Sequence, residues 1–523
     1  MMGSYQESDH EEDERFGATT DRLRSASGAV AQHEGYPPQL HASWHVPSFS
    51  ELVGQVWLGF QSLKGSPSEL YKAYALKFLD SYSYFSFSII FTLFLSHDFG
   101  FSDIQAGVLY GLWGALTTLY GLLVGTLVDN LGVSKSLQLG FVLTLLARAC
   151  IAFTTSKTML LVQICGTLPL GNCLGIPVLT IGIRRYTHEN AMGFAFGLFY
   201  VIMNLAALLS GPIVDLLTIR YKGNNEGEEP DETDEEGGAQ GVWTLSSYRA
   251  IILTGIFANL IACGITFTMR EIKVEVAAPS SSTLPNTPGR VAAFSPRGGT
   301  VRQIVSETFT SPSFRRFLLV CLITLNVRMI FRHLDATLPK YMMREFGDDV
   351  PKGTIYSINP ALIIILVPLV TAATTNVDPL VMIHIGSYVS AASVFALAVS
   401  TSIGACILFV TILSIGEAVW SPRLYDYTMS VCPEGREGTY MALSTAPLFL
   451  AKLPVGMLSG ILLQTYCPAE GERHSQKMWL IIGLMTASSP VLLTVCWKYI
   501  SYRESKDAIC YTELPPPKSS NSI

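Results

Sequence analysis

Gly125-Thr-Leu-Val-Asp129-Asn-Leu-Gly132-Val-Ser-Lys135 is a brief turn that joins two apolar runs, residues 104–128 and 135–154. Each run is long enough to cross the hydrocarbon of a bilayer, which takes about 20 mostly apolar residues in helical form. A connection this short makes the pair a helical hairpin, because in lipid a lone segment can satisfy its own backbone only as a helix. Ten more runs of the same kind occur near 73–96, 158–182, 193–217, 248–269, 316–342, 354–375, 379–400, 403–430, 437–465 and 477–500. Twelve spans predict an all-α, polytopic membrane protein.

Two hydrophilic stretches interrupt the runs. Residues 218–247 hold the acidic run 226–236, and residues 270–315 are rich in Ser, Pro and Gly with scattered Arg. Both compositions favour disorder. The second divides the spans six and six. The expected organisation is a cytoplasmic tail over 1–72, a six-helix half over 73–269, a cytoplasmic linker over 270–315, a second half over 316–500 and a tail over 501–523. The chain opens on Asp9, Glu11, Glu12, Asp13 and Glu14, where a cleaved signal peptide needs a basic patch and an apolar core. That tail is expected to be disordered to residue 47. Over 49–64, Phe49, Val53, Val56, Trp57 and Phe60 recur at helical spacing, a stripe suited to lying in the membrane interface. Lys135, Arg184, Arg185, Arg270, Lys273, Arg315, Arg316 and Arg436 gather in loops that are cytoplasmic when both termini are inside.

Composition agrees with a lipid-facing surface. Hydrophobic residues make up 49% of the chain, charged residues only 15%, and mean hydropathy is +0.37. Soluble domains carry roughly 25% charged residues. A formal charge of −6 and the lack of a basic, aromatic-interleaved cluster argue against nucleic acid as a partner. Of ten cysteines, seven lie in apolar runs, and no CxxC or Cys/His spacing suggests zinc. No HExxH, GxSxG or GxxxxGK[ST] motif points to hydrolysis or to ATP. No enzyme activity, metal or cofactor is expected.

The six-plus-six arrangement, with its linker and ends on the cytoplasmic side, resembles the major facilitator superfamily. Gly125, Asp129, Gly132 and Lys135 match in register that family's G-x-x-x-D-[RK]-x-G-[RK]-[RK] loop, while Asn130 and Val133 replace basic residues. The corresponding place in the second half, Thr374-Thr-Asn-Val-Asp378, is degenerate. The resemblance implies a major facilitator fold in which Asp129 helps latch the cytoplasmic helix ends. Arg184 or Arg185 is its expected partner, and Lys135 and Lys77 are grouped with this gate. Within the superfamily, Asp80-Ser-Tyr82-Ser83-Tyr84-Phe85 is similar to the end of the E-x-x-E-R-F-[SA]-Y-Y pattern of the proton-coupled oligopeptide transporter branch. Lys77 and Asp80 stand at its two glutamate positions and Ser81 at its arginine. Phe199-Tyr200 with Asn204 echoes that branch's F-Y-x-x-x-N element, and Glu417 sits like its tenth-span glutamate.

Charges inside the spans narrow the function. An ionised group at the bilayer centre costs at least about 2.5–3.5 kcal/mol on insertion scales, so such groups face a cavity or a partner. Lys77 and Asp80 share a face of the first span; Arg328, Arg332 and Asp335 follow i, i+4, i+7 up the seventh. Glu417 lies mid-way along the tenth span and Lys452 along the eleventh. In the family resembled here, the first, fourth, seventh and tenth helices line the pathway. Arg328 and Arg332 suit a carboxylate or phosphate, which the guanidinium fork binds bidentately. Asp80, Asp335 and Glu417 are candidates for proton coupling, and Tyr84 and Trp420 for stacking on a solute. The structural alternative has Arg332 and Asp335 neutralising each other, with Arg328 or Lys452 pairing Glu417. Arg148, in the usually peripheral third span, reads as structural.

The function expected is secondary active transport of a small organic solute by alternating access, with a proton as coupling ion and a carboxylate-bearing substrate such as a peptide or amino acid. A non-transporting membrane sensor or receptor on a transporter fold is the alternative. The expected partners are the bilayer, the solute and H+, with the chain a monomer in a plasma or organelle membrane.

Overall fold

With lipid offering no hydrogen bonds, backbone groups must pair within their own segment, and the described residues form helices joined by short turns, with no strand among them. The computed structural model describes residues 49–188, 191–221, 245–271, 312–374, 377–431 and 450–501. The tail before residue 49, the acidic run 226–236, most of the linker and the turn at 433–438 lie outside them.

The first half contains α1 (Phe49–Ser62), α2 (Ser68–Phe99), α3 (Asp103–Phe153), α4 (Lys157–Val162), α5 (Leu168–Tyr186), α6 (Met192–Arg220) and α7 (Ser247–Phe267). A π-turn at Gln163–Thr167 runs α4 into α5 as one span. The second half contains α8 (Pro312–Ala336), α9 (Leu338–Phe346), α10 (Lys352–Ala373), α11 (Pro379–Ser393) with its extension α12 (Phe395–Val399), α13 (Ile403–Val431), α14 (Lys452–Tyr466), α15 (Ser475–Val495) and α16 (Trp497–Ile500). Among the described residues, ten helices are long and apolar enough to cross a membrane. The part of α3 before Gly132 and α14 supply the other two spans. The protein is a multi-pass, all-α membrane protein of two six-helix halves.

Two boundaries differ from the sequence reading. The second and third spans meet in a sharper turn than the sequence bounds suggest: both lie within α3, and Gly132, at φ 81°, ψ 175°, breaks it into two helical arms. Glycine is needed there twice over. The backbone is in a region that L side chains avoid, and an added Cβ would sit 2.6 Å from the Glu271 carboxyl carbon. Glu271 accepts hydrogen bonds from the Val133 and Ser134 amides at 3.1 and 2.7 Å, so a carboxylate from the end of the sixth span caps the third. The seventh span, expected over 316–342, ends at Ala336. Pro339 is the cause: it has no N–H to give the Asp335 carbonyl, so the helix cannot continue through it, and it suits the first turn of a new helix, α9.

The halves meet along two glycine crossings. A Cβ on Gly107 would overlap the Gly456 carbonyl, where the first arm of α3 crosses α14, and a Cβ on Gly211 would overlap the Gly353 carbonyl, where α6 crosses α10. Small residues let helix backbones touch when no solvent drives them together. At the end expected to face away from the cytoplasm, further polar bonds join the halves. Asp103 accepts from Lys340 and from Arg344, both at 2.8 Å. Asp215 on α6 accepts from the Gly353 and Thr354 amides at 2.8 and 2.7 Å, capping the start of α10 from the opposite half. Ser357 donates to the Leu208 carbonyl at 3.0 Å.

Candidate functional site

Among the described residues, the charged side chains singled out by the sequence fall into three groups within the spans. The first belongs to one half. Lys77 and Asp80 are buried on α2, and the Lys77 ammonium lies 4.7 Å from the centre of the Phe199 ring. The Asp80 carboxylate is within electrostatic reach of Lys77 and of Arg148. Arg148 stacks on Phe87 at 5.1 Å, and its Nε and Nη1 have no hydrogen-bond partner among the described residues. The sequence reading has Arg148, in a usually peripheral third span, as structural; its guanidinium lies within electrostatic reach of Asp80. The signal that finds it is the one that finds the others, an ionisable residue in a lipid-length run.

A second group joins the halves near mid-span. Arg332 pairs with Asp335 at 3.2 Å, one turn along α8. The Tyr110 hydroxyl, from α3 in the other half, donates to the same Asp335 oxygen at 3.0 Å. Lys452, at the start of α14, is 1% exposed and points its ammonium into rings of the first half: 3.7 Å from the centre of Trp113, 4.7 Å from Tyr110 and 4.9 Å from Tyr84. Tyr84 packs against Trp113 at 5.4 Å.

The third group lies in the second half. Asn359 on α10 donates to Glu417 at 2.8 Å and to Ser414 at 3.1 Å. Arg328 is 4% exposed, lies 5.4 Å from the Trp420 ring centre, and leaves Nε and Nη2 without a hydrogen-bond partner among the described residues. Arg328 and Arg332 are both within electrostatic reach of Glu417. So is Tyr200, from α6 of the opposite half.

Six predicted residues thus come together along α2, α8 and α13: Tyr84, Arg328, Arg332, Asp335, Glu417 and Trp420. Asp80 stays with Lys77 and Arg148 in the first half. The hydrogen-bond partner of Glu417 is Asn359, and Lys452 is held by aromatic rings. Sequence reasoning had no means to single out Asn359, Tyr110 or Trp113, since none is charged and aromatic residues in spans are usually packing.

The expected cytoplasmic gate is less concentrated. Lys135 and Arg184 are exposed, and Lys77 is buried next to Asp80. Arg185 pairs with Glu271 at 3.5 Å, a third-exposed contact of small energetic weight. Asp129 lies on α3, and its side chain is outside the described residues. At the opposite end, burial pushes the Asp103 carboxyl up, but the Arg344 hydrogen bond and the Lys340 charge outweigh it and hold the group below its ordinary value.

Similar folds are known among solved transporters. A POT family transporter in complex with 5-aminolevulinic acid superposes with a TM-score of 0.65 at 14% identity, covering 84% of this chain and 98% of that one. A POT family transporter bound to a thioalcohol-conjugated peptide gives 0.65 at 15%, covering 85% and 100%. A mutant of the nucleoside transporter NupG gives 0.63 at 11%, covering 82% and 99%. In sequence, the dipeptide and tripeptide permease B of Aeromonas hydrophila is 24% identical over 160 residues, 30% of this chain. That match spans about a third of the permease, 32% of its length. The family model of the Major Facilitator Superfamily matches residues 73–451, and the chain belongs to that superfamily.

Proposed function

We propose that the protein is a proton-coupled, alternating-access carrier of a small carboxylate-bearing solute, held here with its outer end closed. The observation that carries this reading is Arg328. It is a buried guanidinium whose free Nε and Nη2 donors have no hydrogen-bond partner among the described residues, beside the indole of Trp420 and within electrostatic reach of Glu417. A buried cation with free donors is costly on its own; a bidentate carboxylate would satisfy it. Glu417 would then bind a proton in one half of the cycle and release it in the other. The outer bonds through Asp103 and Asp215 are what a carrier open to the cytoplasm needs to keep its far side shut.

Peptide is the first solute to try, because peptide transporters recur among the similar folds and a peptide presents a carboxylate. The test is uptake of labelled dialanine into proteoliposomes under an imposed inward proton gradient. Gradient-driven uptake in the native chain, with Glu417→Gln binding dialanine but losing the response to the gradient, is the expected result. A full gradient response in Glu417→Gln removes that residue from coupling. Binding without any uptake, in the native chain, favours a receptor on a transporter fold.

A further inference from the structure

The second group of charges is built as a cation site, and its occupant is a side chain of the protein itself. Trp113, Tyr110 and Tyr84 present three ring faces to one ammonium, the nearest centre at 3.7 Å. Phe91 stacks on Trp113 at 5.2 Å and Phe87 meets its edge at 5.6 Å, so the indole is fixed from behind. Gly114 leaves room for the lysine stem, since a Cβ there would lie 2.6 Å from Lys452 Cδ. Arg332 and Asp335 both stand within electrostatic reach of the ammonium, the first repelling it and the second attracting it. Tyr356 lies beside the same carboxylate, whose Oδ1 meets no hydrogen-bond geometry among the described residues. Aromatic faces plus an available carboxylate oxygen are what recognise an organic ammonium. The rings and the lysine come from opposite halves, so the contact must be remade if the halves rock apart.

We propose that the Trp113–Tyr110–Tyr84 box is an ammonium-binding subsite, occupied by Lys452 as a tethered competitor, into which the transported solute places its own amine once Lys452 leaves. This deepens the carrier reading and rests on it for the solute. With a carboxylate at Arg328 and an amine in the box, the preferred substrate is a zwitterion. Lys452 lends neither a bond to the solute nor a proton; it keeps the box filled when no solute is there.

The box is tested separately from the solute. Lys452→Ala empties the volume of n-propylammonium, so the purified full-length variant is titrated with n-propylammonium and with n-propanol and followed by thermal unfolding and calorimetry. Saturable binding of the ammonium, at least about tenfold tighter than the alcohol, is expected from the scale of a desolvated cation–π contact. Equal effects of the two probes would mean plain cavity filling, and no effect on a folded variant would mean no subsite; either overturns the proposal. Should the alanine variant not fold, Lys452→Met retains the stem without the charge. In that variant dialanine is expected to bind at least about fivefold tighter than in the native chain, with its des-amino analogue N-propionyl-alanine unchanged. Weaker binding of both would make Lys452 a ligand for the solute and overturn its role as competitor. Failure of dialanine to bind either protein, with n-propylammonium still bound by Lys452→Ala, would remove peptide as the solute while leaving the box in place.

Discussion

Arg328 shares with Arg148 a single ring and guanidinium donors without a hydrogen-bond partner among the described residues, and it differs from Lys77, Arg332 and Lys452 in what surrounds it. Lys77 has a carboxylate and a ring, Arg332 has Asp335, Lys452 has three rings, and Arg328 has one indole and free donors. Replacing it by lysine keeps the charge but removes the planar fork, so Arg328→Lys separates charge from geometry. Charge-assisted hydrogen bonds are worth about 1.5–3 kcal/mol each, and losing one of a bidentate pair should weaken dialanine binding roughly tenfold or more. Calorimetric titration of the purified variant checks it; unchanged affinity would take the guanidinium out of contact with the solute. The ionisable residues themselves were legible in the sequence because lipid makes each one conspicuous. A partner one turn away on the same helix was legible too, as with Arg332 and Asp335; partners on other helices were not. Pairing depends on which helices face each other, and no spacing along one helix says that Lys452 reaches across to Trp113 instead of turning to Glu417.

Among the elements, the two glycine crossings do the same job in matching places. Gly107 with Gly456 and Gly211 with Gly353 bring α3 against α14 and α6 against α10, backbone to backbone. Gly107, Gly111 and Gly114, spaced along the second span, mark the first crossing in the sequence. Nothing comparable marked the second, where one glycine on each helix is enough. The break after Ala336 was hidden for a similar reason: hydropathy continues across Thr337 and Leu338, and only Pro339 betrays the new helix. Glu271 was missed because its role is a cap on residues more than a hundred positions away in sequence. At the α6–α10 crossing, Gly211→Leu would drive a side chain into the Gly353 backbone and the Ser357 hydroxyl. Overpacking of this kind typically costs about 1–3 kcal/mol, and it would also pull the α10 amides away from Asp215. A lowered thermal midpoint in detergent, together with reduced uptake, is the expected pair of results. Native values for both would mean that this close approach is dispensable.

For the whole molecule, the proposed carrier cycle makes the balance between outer-closed and outer-open forms turn on a few carboxylates of the first half that hold the second. Asp103 is the clearest, since one carboxylate binds two cations, Lys340 and Arg344, with all three largely shielded from water. Its carboxyl is held below its ordinary value in the closed form by those partners, against the upward push of burial. The sign of the pH effect follows from that lowering. The closed form gains from Asp103 at any pH above the ordinary carboxylate value of about 3.9, and loses the gain only as pH falls through the lowered value. Between about pH 5 and 8, Asp103 therefore contributes no pH dependence to closure, and any dependence found there belongs to other groups. Asp103→Asn keeps the shape but leaves Lys340 and Arg344 facing each other without a counter-charge. Removing one partner of a buried pair costs about 3–5 kcal/mol, and about 1.4 kcal/mol already shifts a two-state ratio tenfold. Spin labels beside Gly100 and Gly347, on the turns that flank the latch, should move apart in Asp103→Asn at neutral pH. If the variant keeps the native separation, the outer end is closed by the glycine crossings and the Asp215 cap, and Asp103 is not the latch.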